Sequence, residues 1–229
     1  MRYLVVIPAR GGSKGIPQKN IRPFAGKPLI YYTIDTARTI VDDEDICVST
    51  DDSKIIQVVE DYGLSIPFTR PAELATDTAG TYEVLLHALN FYERKGKHYD
   101  ALILLQNTSP FRTSEHVKEA LKLYNSDVDM VVSVKECKAN PYYCVFEETP
   151  EGYLHVCKGD GNIFRRQDAP KVYEYNGAIY VINTTSLKNM HMHKFKKRIK
   201  YVMDEVSSFD LDTITDWKIA EMIKKEGSL

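Results

Sequence analysis

Short apolar runs of strand length alternate with longer amphipathic stretches along most of this chain. The apolar runs occupy residues 3–7, 46–49, 101–105, 130–134 and 178–182. Helical spacing occupies residues 28–40, 53–62, 81–94 and 114–124. Ser53 and Ser114 are the predicted N-caps of two of these helices. Continuous apolar runs are typical of strands that are buried on both faces, and βαβ alternation predicts an α/β fold with an open, doubly wound, mostly parallel sheet.

The pattern breaks after Val134. Residues 136–175 contain prolines and glycines among short aromatic and polar pieces, without the spacing of a long helix. This segment is predicted to leave the sheet, and the chain then ends in a helix at about residues 213–225. A length of 229 residues suits a single domain over residues 1–229, with 136–175 as an excursion from it.

Charge and cysteine content narrow the partners and the compartment. The 30 Lys and Arg nearly balance the 32 Asp and Glu, which favours a small-molecule partner over nucleic acid. The 4 cysteines form no C-x-x-C pair, so reduced thiols in a cytoplasm are expected. The first apolar run stops at Pro8, too early for a signal sequence or a membrane span, and no membrane association is expected.

The loop after the first strand reads P-A-R-G-G-S-K-G-I-P-Q-K-N at residues 8–20. Ligands of open α/β sheets bind beyond the carboxyl ends of the strands, so this loop is the first candidate site. Its glycines allow close approach of the backbone, and Arg10, Lys14 and Lys19 supply cations that suit a triphosphate. It matches neither the Walker A loop nor G-x-G-x-x-G. A flexible surface loop with solvated charges is the alternative.

The segment A-R-G-G-S-K-G-I-P-Q-K-N resembles the signature loop of the CMP-sialic acid synthetases, also called acylneuraminate cytidylyltransferases. Further matches, in order, are V-S-T-D at 48–51, R-P-A-E-L-A-T-D-T-A at 70–79, L-Q-N-T-S-P-F-R at 105–112, R-Q-D-A-P at 166–170, N-G-A-I-Y at 176–180 and D-L-D-T at 210–213. Asn107 stands where the family usually has proline. The resemblance covers almost the whole chain.

The resemblance implies a Rossmann-like nucleotidyltransferase fold and an enzyme that uses CTP. The anomeric hydroxyl of a sugar acid would attack the α-phosphorus, and pyrophosphate would leave. The predicted nucleotide-binding residues are Arg10, Gly11, Lys14, Lys19, Asn20, Arg70, Ala79 and Thr81. Lys14, Arg10 and Asp212 are the predicted catalytic residues, with Lys14 nearest the transferring phosphate. From the residues alone, Arg70 could equally be a surface ion-pair residue.

Asp210 and Asp212 flank Leu211, and residues i and i+2 of an extended segment face the same side. Both carboxylates could therefore reach one Mg²⁺, which proteins hold through one or two carboxylates, waters and substrate phosphates. The alternatives are N-capping of the last helix by Asp212 and a solvated loop at Asp210. Asp51 is a secondary candidate ligand, and Asp52 is expected to serve the following helix. Either a carboxylate near the metal or the metal itself would help remove the hydroxyl proton.

For the sugar acid, the resemblance points to Gln106, Arg166, Asn176 and Tyr180, with the Arg166 fork suited to a carboxylate. Strand-end hydrogen bonding and core packing are the alternatives for the uncharged three. Where relatives specific for N-acetylneuraminate often have H-P-x-K, residues 140–144 read N-P-Y-Y-C, and Glu174 stands where a cation can occur. A nonulosonic acid is therefore expected, with legionaminic, pseudaminic and deaminated acids as candidates.

The resemblance also implies a homodimer in which residues 136–175 form an arm over the neighbouring subunit; a hairpin on its own domain is the alternative. Two other activities are considered: cytidylyl transfer to 3-deoxy-manno-octulosonate, and uridylyl or guanylyl transfer to a sugar 1-phosphate. The usual G-x-G-x-R-x-x-P loop of the latter is absent, since Arg10 precedes the glycines. A catalytically inactive nucleotide-binding module is the non-enzyme alternative.

Overall fold

The computed structural model describes residues 1–12, 15–76 and 78–227. Its strands are β1 Tyr3–Pro8, β2 Pro23–Phe24, β3 Lys27–Pro28, β4 Ile46–Ser49, β5 Ala101–Leu105, β6 Met130–Glu136, β7 Phe146–Glu148, β8 Leu154–Val156, β9 Tyr173–Asn183 and β10 Arg198–Val202. Within these described ranges, six strands form the central sheet in the order β10-β6-β9-β5-β1-β4. Neighbours β4, β1 and β5 are parallel, as are β10 and β6, whereas β9 runs antiparallel between β5 and β6. The predicted mostly parallel sheet is confirmed.

Helices cover both faces of the sheet. They are α1 Leu29–Arg38, α2 Ser53–Asp61, α3 Thr81–Arg94, α4 Ser114–Leu123, α5 Thr184–Asn189 and α6 Ile214–Lys225. Alternate residues of β1 face opposite sides, because side chains of a strand alternate. Val5 and Ile7 pack in the cluster of α1, α2 and α4, and Leu4 and Val6 pack in the cluster of α3 and α5. Within residues 1–12, 15–76 and 78–227, no helix has the length and apolar character needed to cross a membrane.

The predicted N-caps of α2 and α4 are wrong by one residue. Asp52 caps α2, since its Oδ1 accepts hydrogen bonds from the backbone N–H groups of Lys54 at 2.7 Å and Ile55 at 3.3 Å. Thr113 caps α4 by accepting from the backbone N–H of His116. Both capping residues have extended dihedral angles, whereas the predicted serines already lie within the helices. The expected role of Asp52 at this helix is confirmed.

Strand β10 is not among the strands that the sequence predicted. Its residues alternate between exposed and half-buried: Arg198 and Lys200 face solvent, while Ile199 and Tyr201 pack against the core beside α4. An edge strand that is half polar lacks the continuous apolar run that marks the inner strands.

The chain departs from the sheet between β6 and β9, where Glu136 still pairs with Tyr173, so residues 173–175 of the predicted excursion belong to β9. The segment contains the β7–β8 hairpin. Several of its aromatic side chains are exposed, with Phe164 80% and Tyr153 73% accessible in the single chain. The assignment of this segment as a dimer arm stays a prediction.

Candidate active site

Loops at the carboxyl ends of β1, β4 and β5 converge with the segment before α6 on a cleft of about 440 Å³, the main cleft. It is lined by Pro8, Arg10, Gly15, Lys19, Asn20, Arg70, Leu74, Thr76, Ala79, Gly80, Thr81, Val84, Thr108 and Asp212. Residues far apart in sequence meet here because the parallel strands β1, β4 and β5 all end at the same sheet edge. The structure therefore brings together Arg10, Lys19, Asn20 and Arg70 from the predicted nucleotide site.

The first loop is packed closely against its protein neighbours. The Gly11 N–H donates to Asp51 Oδ1 at 3.1 Å, and a Cβ at Gly11 would overlap the Asp52 side chain. A Cβ at Gly15 would overlap the backbone carbonyl oxygen of Asp212. These two glycines thus permit contact between segments of the protein itself, where the sequence had suggested contact with a ligand. Lys14, the predicted residue nearest the phosphate, lies outside the described residues.

Lys19 joins the first loop to the acidic segment. Its Nζ donates to the Leu211 carbonyl oxygen at 2.6 Å and lies 3.7 Å from Asp212 Oδ1. Arg10 donates from Nη1 to the carbonyl oxygen of Thr76, another residue of the main cleft, at 3.3 Å. Lys19 of the first loop therefore contacts the acidic segment, and Arg10 contacts the segment before α3.

The acidic pair has one buried and one open carboxylate. Leu211 is fully buried and its N–H donates to the Thr108 carbonyl oxygen at 2.9 Å, which fixes the segment against the end of β5. Asp212 is 74% exposed and lines the main cleft, while Thr213, rather than Asp212, caps α6. Asp210 is half-buried, and its Oδ1 is buried with no hydrogen-bond partner among the described residues.

Burial raises the pKa of Asp210; the negative charge of Asp212 adds to this shift, and the positive charge of Lys19 opposes it. A buried, unpartnered carboxylate oxygen beside a second carboxylate at the cleft is a donor set that suits Mg²⁺. Among residues 1–12, 15–76 and 78–227, no three His, Cys, Asp or Glu side chains gather around one point. A bound Mg²⁺ would therefore take other ligands from water or phosphate.

Arg70 is buried, so its interpretation as a surface ion-pair residue is wrong. Its Nε donates to Ser49 Oγ at 3.0 Å, and its Nη2 donates to the Ser49 carbonyl oxygen at 2.5 Å. Nη1 makes a long contact of 3.5 Å with the Leu74 carbonyl oxygen. Burial lowers the pKa of Arg70, and the Asp51 charge partly opposes this. Beside it, Ala79 and Thr81 form the wall where α3 begins.

A smaller cavity of about 120 Å³, the side recess, adjoins the main cleft at the end of β5. It is lined by Pro8, Asn20, Thr81, Leu104, Gln106, Asn107 and Thr108. Asn20 Nδ2 donates to the Arg10 carbonyl oxygen at 3.0 Å, and Asn20 Oδ1 accepts from Asn107 Nδ2 at 3.1 Å. The predicted residue Gln106 lies here, half-buried.

Two residues at this end of β5 were not assigned roles from the sequence. Arg112 is buried and donates from Nη1 to the carbonyl oxygens of Gln106 at 2.8 Å and Ala178 at 3.0 Å, and from Nη2 to Thr33 Oγ1 at 3.0 Å. It thereby joins the end of β5 to the middle of β9. Thr108 Oγ1 is buried without a hydrogen-bond partner among the described residues and lines both cavities. The segment L-Q-N-T-S-P-F-R carried both, but their burial was not readable from it.

Three predicted sugar-binding residues line neither the main cleft nor the side recess in the described part of the chain: Arg166, Asn176 and Tyr180. Arg166 lies on a separate cavity of about 600 Å³, the arm cleft, between the excursion and the ends of β6 and β10. Asn176 is buried, and its side-chain amide forms hydrogen bonds within the protein, with Ser133, Ser208 and the Ala178 N–H group. Such contacts are those expected of a structural residue. Tyr180 packs edge-on against Tyr175, and burial raises its pKa to about 12.

A sequence model of the family described as Cytidylyltransferase matches residues 4–227. The chain belongs to this family. Over 221 residues it is 38% identical to an N-acylneuraminate cytidylyltransferase of Streptococcus agalactiae serotype V, a match that covers 95% of this chain and 52% of that protein. It thus spans about half the length of this relative. It is 35% identical to a CMP-N,N'-diacetyllegionaminic acid synthase of Legionella pneumophila, with 97% of this chain and 96% of that protein covered.

Solved structures of cytidylyltransferases share the fold. A CMP:2-keto-3-deoxy-manno-octonic acid synthetase complexed with CTP superposes with a TM-score of 0.71 at 18% identity, covering 99% of this chain and 100% of that one. The Rossmann-like nucleotidyltransferase fold expected from the sequence is therefore confirmed.

Proposed function

We propose that this cytidylyltransferase transfers CMP from CTP to the anomeric hydroxyl of a sialic-acid-like nonulosonic acid, with release of pyrophosphate. The observation that carries the proposal is the meeting of Arg10, Lys19, Arg70 and Asp212 on one cleft. These residues come from three separate segments, and an inactive module would have no need to keep cations and carboxylates on the same cleft. The names of the relatives from Streptococcus and Legionella support the class of substrate.

Phosphate charge would be held by the first loop. Arg10 and Lys19 both line the main cleft, and Lys14 of the same loop is proposed to follow the charge as it moves to the leaving pyrophosphate. Asp210 and Asp212 are proposed to hold Mg²⁺, which would neutralise phosphate charge when bound. The buried, unpartnered Asp210 oxygen supports this assignment.

Cytosine would lie against Arg70 and the backbone from Ala79 to Thr81. With Nε and Nη2 engaged by Ser49, the guanidinium is fixed in place and Nη1 is directed toward the Leu74 side of the cleft. A fixed donor can recognise a base edge, because a site built around one hydrogen-bond pattern rejects another.

The sugar acid would enter beside Gln106 in the side recess. Glu174 is paired with Lys135 at 3.4 Å in the arm cleft, so it does not stand there as an isolated negative charge. The nearly full-length similarity to the Legionella protein supports a legionaminic-type acid, and N-acetylneuraminate is the comparison substrate.

We also propose that the protein is a homodimer in which residues 136–175 carry Arg166 to the partner's sugar site. Exposed aromatic side chains on this segment support an interface. Light scattering should give twice the chain mass. Arg166→Ala and Asp212→Asn should each be inactive alone, whereas mixed dimers should recover part of the activity. No recovery of activity would contradict a role of Arg166 in the partner's sugar site.

All four cysteines lie in the described ranges and are unpaired, which supports a cytoplasmic location.

Pyrophosphate release tests the proposed reaction. The enzyme with Mg²⁺ is offered CTP, UTP or GTP against nonulosonic acids, 3-deoxy-manno-octulosonate and sugar 1-phosphates. Release is expected with CTP and a nonulosonic acid, and to be abolished by a chelator. No release with any nonulosonic acid would refute the proposal, and release only with 3-deoxy-manno-octulosonate would reassign the substrate.

A further inference from the structure

Asn107 lines the side recess and presents a side-chain amide there. The recess is lined by uncharged residues only, within the described part of the chain, so it suits a neutral portion of a substrate. Asn107 is 3% exposed there, at the position where the resembling family usually has proline. Proline has no side-chain hydrogen-bonding group, so this chain presents an amide where that family presents none.

Hydrogen bonds fix the orientation of the Asn107 amide. Asn20 donates from Nδ2 to the Arg10 carbonyl oxygen, which turns Asn20 Oδ1 toward Asn107. Asn107 Nδ2 then donates to this oxygen at 3.1 Å and to the Pro8 carbonyl oxygen at 3.4 Å. Both neighbours are acceptors, so only the amide nitrogen can face them.

The carbonyl oxygen of Asn107 is consequently left over. Oδ1 is buried and has no hydrogen-bond partner among the described residues. A buried acceptor without a donor costs free energy, and a ligand that supplies the donor removes this cost. A hydroxyl or amide N–H group of a ligand would supply such a donor.

We propose that Asn107 determines specificity by accepting a hydrogen bond from a hydroxyl or amide N–H of the sugar acid; this rests on the proposed function. Leu104, Gln106 and Asn107 line the side recess but not the main cleft. The main cleft but not the recess is lined by Arg70, Leu74 and Thr76. Of the wall proposed for cytosine, Thr81 also lines the recess, whereas Arg70 and Ala79 do not. A sugar acid without the donor is rejected because Oδ1 stays unpaired.

Steady-state kinetics of Asn107→Leu and Asn107→Ala test the proposal. Leucine has nearly the same size as asparagine. Asn107→Ala provides a second variant in case Asn107→Leu does not fold. The KM for the sugar acid should rise about tenfold, which corresponds to about 1.4 kcal/mol, while the KM for CTP stays within about twofold. Ser109→Ala is the matched control, since Ser109 Oγ is also buried and unpartnered but does not line the recess.

Sugar acids that lack one hydroxyl or one acylamino group identify the donor. With the wild-type enzyme, one such analogue should lose about tenfold in kcat/KM, and the same analogue should lose nothing further in Asn107→Ala. The assignment would be overturned if every analogue lost as much kcat/KM with Asn107→Ala as with the wild-type enzyme. A rise in KM for CTP alone would also overturn it. If the wild-type enzyme releases no pyrophosphate with any sugar acid, the proposed function fails, which is a separate result.

Discussion

Arg112 offers the sharpest test of how the site is held together. Its guanidinium is buried and has no acidic partner among the described residues; instead it donates to the carbonyl oxygens of Gln106 and Ala178 and to the Thr33 hydroxyl. Burial lowers the pKa of Arg112 to about 9, which leaves the side chain cationic at neutral pH. The residue therefore joins β5, β9 and α1 at the cost of a desolvated charge.

In Arg112→Met, the apolar stem is largely kept and the hydrogen bonds are lost. The buried Ala178 carbonyl oxygen and the part-buried Gln106 carbonyl oxygen then lose this donor, at about 1–3 kcal/mol each, and removal of the buried cation returns part of this cost. We expect a net loss of about 3 kcal/mol in the free energy of unfolding. For a chain of this size, the midpoint of thermal unfolding should fall by about 6–12 °C.

Urea denaturation followed by circular dichroism measures the loss directly. Arg112→Lys should fall between the wild type and Arg112→Met, because one ammonium cannot span the acceptors that the planar fork reaches. Arg94→Met is the control for loss of an exposed arginine, and it should change stability by less than about 0.5 kcal/mol. If Arg112→Met is as stable as Arg94→Met, the guanidinium does not stabilise the junction of β5, β9 and α1.

Three further predictions concern the acidic segment. Asp210→Asn should lose at least about 100-fold in pyrophosphate release yet melt at a higher temperature at pH 7, because burial raises the pKa of Asp210 and its ionised form costs folding free energy. That stability gain should shrink as the pH falls through the raised pKa; a gain independent of pH would contradict it. Asp212→Asn should lose most turnover with an unchanged melting temperature, since the side chain is exposed; wild-type rates would remove the metal assignment. Gly15→Ala should reduce kcat/KM by about tenfold or more, because the added Cβ displaces Asp212, whereas Gly12→Ala, with open space around it, should remain near wild type in the same assay.

Local patterns predicted most of the secondary structure. The inner strands were found because burial on both faces demands continuous apolar runs, as in the fully buried β5. Strand β10 was missed because its exposed charges hide a half-buried face, and the N-caps of α2 and α4 were displaced by one residue because serine and its neighbour are both acceptable caps.

The sequence by itself determined the alternation of strands and helices, the cation-rich first loop and the acidic pair before α6, because each depends on residue types at short spacing. The tertiary structure decided which of these residues share a cleft. It placed Arg10, Lys19, Arg70 and Asp212 on one cleft and left Arg166 on the arm cleft. It also buried Arg112 and left Asn107 Oδ1 without a donor. Burial and hydrogen-bond partners come from segments distant in sequence, so spacing along the chain carries no information about them.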